Sequence, residues 1–241
     1  MWGGRAVFSR LKLIGFITAF IVLLSFFQMT WLINDSWKSW NLPLSGKVIY
    51  LDPGHGGPDG GAGDTEALEK DIALEVSLKL RDYLQEQGAL VLMTREEDKD
   101  LADPNTSSYS RRKSEDLTER IHLINDSSAD LFLSIHLNAI PSAKWSGAQT
   151  FYTPYLEENK RIATLIQDEL IRNLENTTRE AKIINNVYLM KHTKKPGALV
   201  EIGFLSNPEE RANLQDPGYQ ESVAASIYEG VLRYFTEEAD T

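Results

Sequence analysis

The chain has no cysteine among its 241 residues. This absence excludes thiol nucleophiles, disulfides and cysteine-ligated zinc, so any metal site must use histidine, aspartate or glutamate. Positively charged residues are outnumbered as well. The chain has 25 Lys and Arg residues and 35 Asp and Glu residues, which give a net charge of −10 at pH 7. We therefore expect no nucleic-acid partner, since binding phosphates needs a basic surface.

Several catalytic motifs are missing as well. The sequence contains neither the G-x-S-x-G turn of serine hydrolases nor the H-E-x-x-H helix of many zinc peptidases. Its glycine-rich stretch, KVIYLDPGHGGPDGGAG, does not meet the G-x-G-x-x-G spacing and is not followed by a Lys-Ser/Thr pair, which argues against a phosphate site. A carboxylate pair of Asp52 and Asp59 for glycoside cleavage would leave the nearby histidines unused.

A long hydrophobic run is present near the N-terminus. Leu13 to Ile33 gives 21 consecutive residues without a charge, and Arg5, Arg10 and Lys12 precede it. This pattern predicts a membrane-spanning anchor with its basic end in the cytoplasm. We expect residues 1–33 to be this anchor, 34–46 a linker, 47–236 the catalytic domain and 237–241 a tail. A cleaved signal peptide is the alternative for the first segment.

After residue 46 the chain alternates apolar runs with amphipathic stretches. Strands are predicted at 48–51, 89–93, 131–137, 147–153, 187–191 and 198–204, and helices at 68–87, 114–127, 156–174 and 219–235. The polar stretch 95–114 is typical of an exposed loop. This order predicts an α/β fold, a single three-layer domain with a largely parallel, mixed central sheet and helices on both faces.

Three metal-competent residues lie at or near the ends of predicted strands, and a fourth lies at the start of a predicted helix. His55 follows the first strand, His136 lies late in the apolar LFLSIHLN, and Glu201 interrupts the apolar ALVEIGF. Glu69 lies in the first turn of the helix after the glycine-rich stretch. Because ligands bind beyond the carboxyl ends of strands in open α/β sheets, we expect these side chains to converge. A carboxylate within a buried strand is costly unless it is paired or near a metal.

Two histidines and one carboxylate form a hydrolytic zinc set with a coordination position left for water. Glu201 would then act as the general base in hydrolysis of an amide. Each residue also has a simpler interpretation. His136 could be a core histidine, Glu69 a carboxylate that favours a helix start, and Glu201 half of a buried ion pair. His122 and His192 are expected on the surface.

The motifs DPGHGG, LEK, SIHLN and LVEIGFLSN, in this order, resemble the catalytic domain of zinc-dependent N-acetylmuramoyl-L-alanine amidases, the amidase type 3 family. The resemblance covers about residues 47–235. It implies one Zn²⁺ per chain held by His55, Glu69 and His136, with Glu201 catalytic. It also implies a peptidoglycan substrate, cleaved between the lactyl group of N-acetylmuramic acid and L-alanine.

Further stretches, including YSRRKSEDL, RNLENTTR and VAASIYEGVLRYFTE, are similar to the germination-specific branch of this family in endospore-forming bacteria. That similarity implies action in the intermembrane space of the developing spore. It also implies a downstream muramic acid deacetylase, with which the amidase allows muramic δ-lactam to form in the cortex. The wall-binding repeats of many relatives are not found in this sequence, so targeting would come from the anchor or from an activating or targeting protein.

Three further residues are candidates for binding substrate. Arg95 and Arg120 could clamp a substrate carboxylate, and Asn138 follows the predicted ligand His136 closely. The alternative for the arginines is a solvated or structural charge. Two other functions also stay open from the sequence. One is a degenerate module that binds wall glycan or activates another hydrolase, and the other is a zinc deacetylase or peptidase acting on the same polymer.

Overall fold

The structure is a computed structural model that describes residues 15–29 and 42–238. Residues 15–29 form a helix, α1, with exposed side chains, in a unit separate from the one that spans Pro43–Thr241. Within the described ranges, no helix combines the length and the apolar character needed to cross a membrane. Both ends of the predicted anchor, and most of the predicted linker, fall outside those ranges. The predicted domain boundaries therefore stay predictions.

One six-stranded sheet forms the centre of the larger unit, in the order β4-β1-β5-β8-β6-β7. Its strands are β1 (Val48–Pro53), β4 (Leu90–Met93), β5 (Leu131–Asn138), β6 (Gln149–Tyr152), β7 (Lys182–Ile183) and β8 (Gly197–Phe204). All neighbouring strands run parallel except β6, which is antiparallel to β8. A short antiparallel ribbon, β2 (Gly63–Asp64) with β3 (Ala67–Leu68), lies between β1 and β4 in the chain.

Helices cover both faces of this sheet, as predicted. They are α2 (Glu69–Glu86), α3 (Tyr109–Asp126), α4 (Glu157–Leu174), α5 (Tyr188–His192), α6 (Pro208–Leu214) and α7 (Pro217–Thr236). The large core that contains α2, α4 and α7 lies on one face of the sheet, and a smaller core with α3 and α5 lies on the other. The predicted three-layer α/β architecture with a mostly parallel sheet is therefore confirmed.

The central strands bury apolar side chains on both faces. In β1, Ile49 and Leu51 belong to the large core, whereas Tyr50 between them belongs to the smaller one. This alternation follows from the two-residue period of a strand, and each fully buried aliphatic side chain contributes about 1.5–3 kcal/mol. Polar residues in these strands are therefore exceptions that need partners.

The predicted strand at 187–191 is wrong, because the chain forms the short helix α5 at Tyr188–His192. Leu189 and Met190, adjacent in sequence, are both buried, whereas an amphipathic strand would bury alternate residues. A run of five mostly apolar residues is too short for periodicity to separate a helix from a strand.

The exposed loop predicted over 95–114 is also partly wrong. Helix α3 begins at Tyr109, five residues before the predicted start at Ser114. Its first turns carry almost no apolar residues, so the hydrophobic pattern did not extend to them. They are instead held by polar contacts, such as the hydrogen bond from Arg112 Nε to Asp100 Oδ2 at 2.9 Å. The short elements β2, β3, β7 and α6 were not predicted.

Candidate active site

The glycine-rich loop after β1 presents His55 above the carboxyl end of the sheet. Pro53 ends the strand, and the next backbone amide, from Gly54, donates to the carbonyl of Ile135 at 2.9 Å. His55 itself adopts the left-handed conformation, with φ of 60°, which is uncommon for a residue with a side chain. The loop therefore fixes the position of the imidazole through an unusual backbone conformation.

The three predicted ligands, His55, Glu69 and His136, come together at this edge. His55 Nε2 lies 3.2 Å from Glu69 Oε2, and His136 Nδ1 lies 2.8 Å from Glu69 Oε1. One ligand atom from each residue lies within 4.8 Å of the others. The two imidazole rings meet edge to face, with centroids 5.1 Å apart.

Two glycines make room for this cluster. A Cβ atom on Gly54 would lie 2.4 Å from Cε1 of His136, so only glycine allows the ring to approach the loop. Gly61 has a φ of +69°, and a Cβ there would lie 2.6 Å from Glu69 Oε2. Gly54 therefore leaves the space that His136 occupies, and Gly61 leaves the space that Glu69 occupies.

Glu69 is the anionic centre of the cluster. Its carboxylate accepts backbone hydrogen bonds from Ala62 at 2.7 Å and from Leu137 at 3.0 Å. Burial acts to raise its pKa, but the hydrogen bonds to His136 and His55 lower the pKa well below the usual range. Burial acts to lower the pKa of His55, yet hydrogen bonds to Asp59 and Glu69 raise it to about 9. Glu69 is therefore ionised, as a metal ligand must be.

Glu201 lies beside His136 on the neighbouring strand. The two residues are register partners between β5 and β8, so their side chains project from the same face. The Oε2 atom of Glu201 is buried and has no hydrogen-bond partner among residues 15–29 and 42–238. The pKa of Glu201 is raised to about 7, mainly by burial, with a smaller rise from the charge of Glu69, while the charges of His136 and His55 act to lower it. The alternative of a buried ion pair with Arg or Lys does not fit this carboxylate.

The donor set fits a zinc ion. Ligand atoms on a tetrahedral zinc with bonds of about 2.0–2.2 Å lie about 3.3 Å apart, close to the separation of His55 Nε2 and Glu69 Oε2. Two imidazole nitrogens and one carboxylate oxygen leave a fourth position open, as in hydrolytic zinc sites. The Oε2 atom of Glu201, which has no hydrogen-bond partner among the described residues, lies on the strand next to His136.

Comparisons with known proteins identify the family of this chain. The family model described as N-acetylmuramoyl-L-alanine amidase matches residues 49–233. The chain belongs to this family, amidase type 3. The germination-specific N-acetylmuramoyl-L-alanine amidase of Bacillus subtilis (strain 168) is 63% identical over 232 residues, which cover 96% of this chain and 98% of that protein.

Solved structures of amidases share the fold. The CwlD amidase from Clostridioides difficile, in complex with the GerS lipoprotein, is 41% identical, with a TM-score of 0.77 over 80% of this chain and 100% of that one. An N-acetylmuramoyl-L-alanine amidase from Clostridium difficile 630 is 29% identical, with a TM-score of 0.70 over 80% and 98% of the two chains. The protein is thus a peptidoglycan N-acetylmuramoyl-L-alanine amidase whose catalytic domain acts on the extracytoplasmic side.

Arg95 and Arg120 lie beneath the amidase site and not on its surface. Arg95 donates to the carbonyls of Pro53 at 3.1 Å and Gly54 at 2.8 Å, and Arg120 donates to those of Pro53 at 2.8 Å and His55 at 2.6 Å. Both side chains are almost fully buried. Their contacts favour the structural alternative over the predicted binding of substrate.

Arg120 also forms the centre of a buried polar network. It pairs with Asp52 at 2.8 Å and with Asp116 at 2.9 Å. Asp52 further accepts hydrogen bonds from Thr94 at 2.8 Å and from Ser134 at 2.6 Å. Burial acts to raise the pKa of Asp52, but the charge of Arg120 and the hydrogen bond from Ser134 lower it. This network ties β1, β5 and α3 together directly below His55.

The remaining predicted residues are on or near the surface. Asn138 ends β5 and is partly exposed, and its backbone carbonyl accepts a hydrogen bond from Leu205 at 2.9 Å. His122 and His192 are exposed, as predicted. A cavity of about 170 Å³ opens beside His55 and His136 on the side of α3 and α5. The cavity thus borders two of the three candidate ligands.

Asp59 is a residue whose position sequence reasoning missed. It was considered only for glycoside cleavage, yet its Oδ2 atom lies 2.9 Å from Nδ1 of the candidate ligand His55. Tyr109 and Lys113, both within the stretch predicted as an exposed loop, contact the same carboxylate. A carboxylate four residues after a candidate metal-ligating histidine was the available signal, because such histidines usually donate their second nitrogen to a carboxylate or carbonyl.

Proposed function

We propose that this amidase uses one zinc ion, held by His55, Glu69 and His136, to cleave the bond between the lactyl group of N-acetylmuramic acid and L-alanine. The observation that carries the proposal is the convergence of these three ligand atoms within 4.8 Å. They come from a loop, a helix and a strand, and Glu201, whose Oε2 atom has no hydrogen-bond partner in the described part of the chain, lies on the strand next to His136. If these three residues formed only structural ion pairs, the buried and unpartnered Oε2 atom of Glu201 beside them would have no explanation.

Zinc, when bound, supplies Lewis-acid activation of the amide carbonyl and of a water molecule. The chain supplies the proton transfers. Glu201 Oε2 takes the proton of the water as its oxygen forms a bond to the carbonyl carbon. The same oxygen then gives the proton to the alanine nitrogen as the carbon–nitrogen bond breaks. A pKa of about 7 suits both steps, because a group that accepts and then donates works best near the ambient pH.

Other residues keep the site ready for this chemistry. Two backbone amides hold Glu69 so that both of its oxygens face the histidines. The buried Arg95 donates to the carbonyls of Pro53 and Gly54, and Arg120 to those of Pro53 and His55, which fixes the loop that carries His55. Asn138 remains a candidate for contacting substrate at the rim. Its replacement by Ala should raise KM more than it lowers kcat.

The proposal is tested with purified protein and isolated peptidoglycan. We expect the protein to contain about one zinc per chain, to lose activity to a chelator and to recover it with zinc. Glu201→Gln should keep the zinc but lower kcat by about 10²-fold to 10⁴-fold, the usual contribution of a general base. Glu119→Gln, the same change at an exposed residue of α3, is the matched control and should be as active as the wild type.

The reaction products distinguish an amidase from a deacetylase, a peptidase or a binding module. Mass spectrometry should find stem peptides with a free L-alanine amino group and glycan chains with intact N-acetylmuramic acid. Release of acetate would indicate a deacetylase, and peptide fragments cut between amino acids would indicate a peptidase. Zinc-free protein that binds glycan without cleaving it would indicate a binding module. Full activity of Glu201→Gln would refute the role given to Glu201.

We further propose that residues 1–33 anchor the enzyme to the membrane and that it works in the intermembrane space of the developing spore. There it would act in cortex maturation, with a muramic acid deacetylase downstream to allow muramic δ-lactam to form. The 63% identity to a germination-specific amidase supports this role. The GerS complex of the similar CwlD supports an activating or targeting protein. Membrane fractionation of sporulating cells and analysis of cortex δ-lactam after loss of the protein test these points.

A further inference from the structure

The carboxylate of Asp59 makes four polar contacts, one of which is to His55. Its Oδ2 atom lies 2.9 Å from His55 Nδ1 and 3.0 Å from Lys113 Nζ. Its Oδ1 atom accepts hydrogen bonds from the hydroxyl of Tyr109 at 3.0 Å and from the backbone amide of Gly61 at 3.1 Å. Asp59 therefore joins the loop that bears one candidate ligand to the first turns of α3.

These contacts determine which nitrogen of His55 is available. An ionised carboxylate can only accept hydrogen bonds, so Nδ1 of His55 must be the donor in its contact with Asp59. When the ring gives up its second proton to bind a metal, the lone pair therefore lies on Nε2, the atom that faces Glu69 at 3.2 Å. The same hydrogen bond fixes the rotation of the imidazole ring about its Cβ–Cγ bond. His55 is thus held in the tautomer and the orientation that a metal ligand needs.

We propose that Asp59 is a positioning residue that holds His55 ready for zinc, and that Tyr109 and Lys113 in turn hold Asp59. This inference rests on the zinc site given under the proposed function. It assigns a role to the polar start of α3, which buries few apolar side chains of its own. Tyr109 and Lys113 are four residues apart, so they lie on the same side of the helix and reach the same carboxylate.

The neighbouring Asp98 offers a matched control. It also holds the glycine-rich loop, because it accepts a hydrogen bond from the amide of Gly57 at 2.8 Å and pairs with Lys70 at 2.7 Å. No contact joins Asp98 to either histidine in the described structure. Removing its carboxylate therefore loosens the loop without releasing the imidazole of His55, which separates positioning of the ligand from general stability of the loop.

The test measures zinc affinity of the full-length protein, purified in detergent, by competition with a chromophoric chelator. Asp59→Ala should weaken zinc binding by about 10-fold to 100-fold, the usual effect of losing such a partner. Asp59→Asn should recover part of the loss, because its carboxamide oxygen can still accept from Nδ1. Lys113→Met and Tyr109→Phe should each weaken binding to a smaller extent. Asp98→Ala should bind zinc like the wild type.

A second readout is the visible spectrum of the cobalt-substituted protein, which reports the geometry of the ligands. It should change in Asp59→Ala and stay as in the wild type in Asp98→Ala. Equal zinc affinity of Asp59→Ala and wild type would overturn the inference, as would equal losses in Asp59→Ala and Asp98→Ala. If Asp59→Ala does not fold, Asp59→Asn and Lys113→Met decide by the same comparison. Wild-type protein that binds no zinc would overturn the proposed function and this inference together.

Discussion

Replacing Gly54 with alanine should displace the His136 ring and disable the metal site. In the native structure a Cβ at this position would lie 2.4 Å from Cε1, 2.6 Å from Nδ1 and 2.7 Å from Nε2 of His136. Non-bonded carbon atoms approach favourably only to about 3.5 Å, so the ring must retreat by about 1 Å. Catalytic constellations tolerate errors of about 0.5 Å. The single added methyl group therefore displaces His136 by more than this positional tolerance.

The expected loss is large for so small a change. A misplacement of about 1 Å costs about 10²-fold in rate, and we expect zinc affinity to fall as well. The assay compares zinc content, chelator competition and stem-peptide release by Gly54→Ala and wild-type protein. Thermal unfolding measured on the same samples should show that the variant is folded.

Gly60→Ala is the control, because it makes the same change in the same loop. A Cβ at Gly60 would meet only the flexible side chain of Leu68, at 3.1 Å, and would not approach a ligand. This variant should bind zinc and cleave peptidoglycan like the wild type. Wild-type zinc affinity and activity in Gly54→Ala would refute the reasoning, because His136 would then not need the space that glycine leaves.

The buried network below the site gives two further predictions. Arg120→Met should lower the free energy of unfolding by about 3–5 kcal/mol, because it leaves the carboxylate of Asp52 buried without its partner. Arg81→Met, which removes an exposed pair with Glu96, should cost less than about 1 kcal/mol in the same thermal or urea unfolding measurement, and equal losses would contradict this. Since the pKa of Asp52 is lower in the folded than in the unfolded protein, its contribution to stability should be complete above about pH 4 and lost as the pH falls further. Unfolding followed from pH 6 to pH 3 should show a weaker acid dependence in Asp52→Asn than in the wild type, and identical dependence would contradict the assignment.

Sequence reasoning identified the layers of the fold because the hydrophobic periodicity of the central elements is strong. The apolar run that contains Phe132 and Leu133 is typical of a strand covered on both faces, and the long amphipathic α4 was predicted to within one residue of its start. The short helices and strands could not be predicted from hydrophobic periodicity. Five residues at 187–191 carry too little periodicity to show that they form α5, and the start of α3 is polar because it contacts the Asp59 loop.

The candidate ligands could be predicted because each interrupts a simple pattern. A histidine in a glycine loop, another near the end of an apolar strand and a glutamate within a buried strand all need a reason. The supporting residues follow no such rule. Arg120 lies in a polar helix, and only the folded chain shows that it is buried against Asp52, 68 residues away. Contacts over such separations depend on topology, which local sequence patterns do not contain.

The most direct test of the zinc site is anomalous X-ray scattering at the zinc absorption edge from crystals of the zinc-loaded protein. We expect one strong peak per chain, within about 2.3 Å of a nitrogen of His55, a nitrogen of His136 and an oxygen of Glu69, with the carboxylate of Glu201 nearby but not bound. A peak at other residues, or direct ligation by Glu201 in place of Glu69, would contradict it.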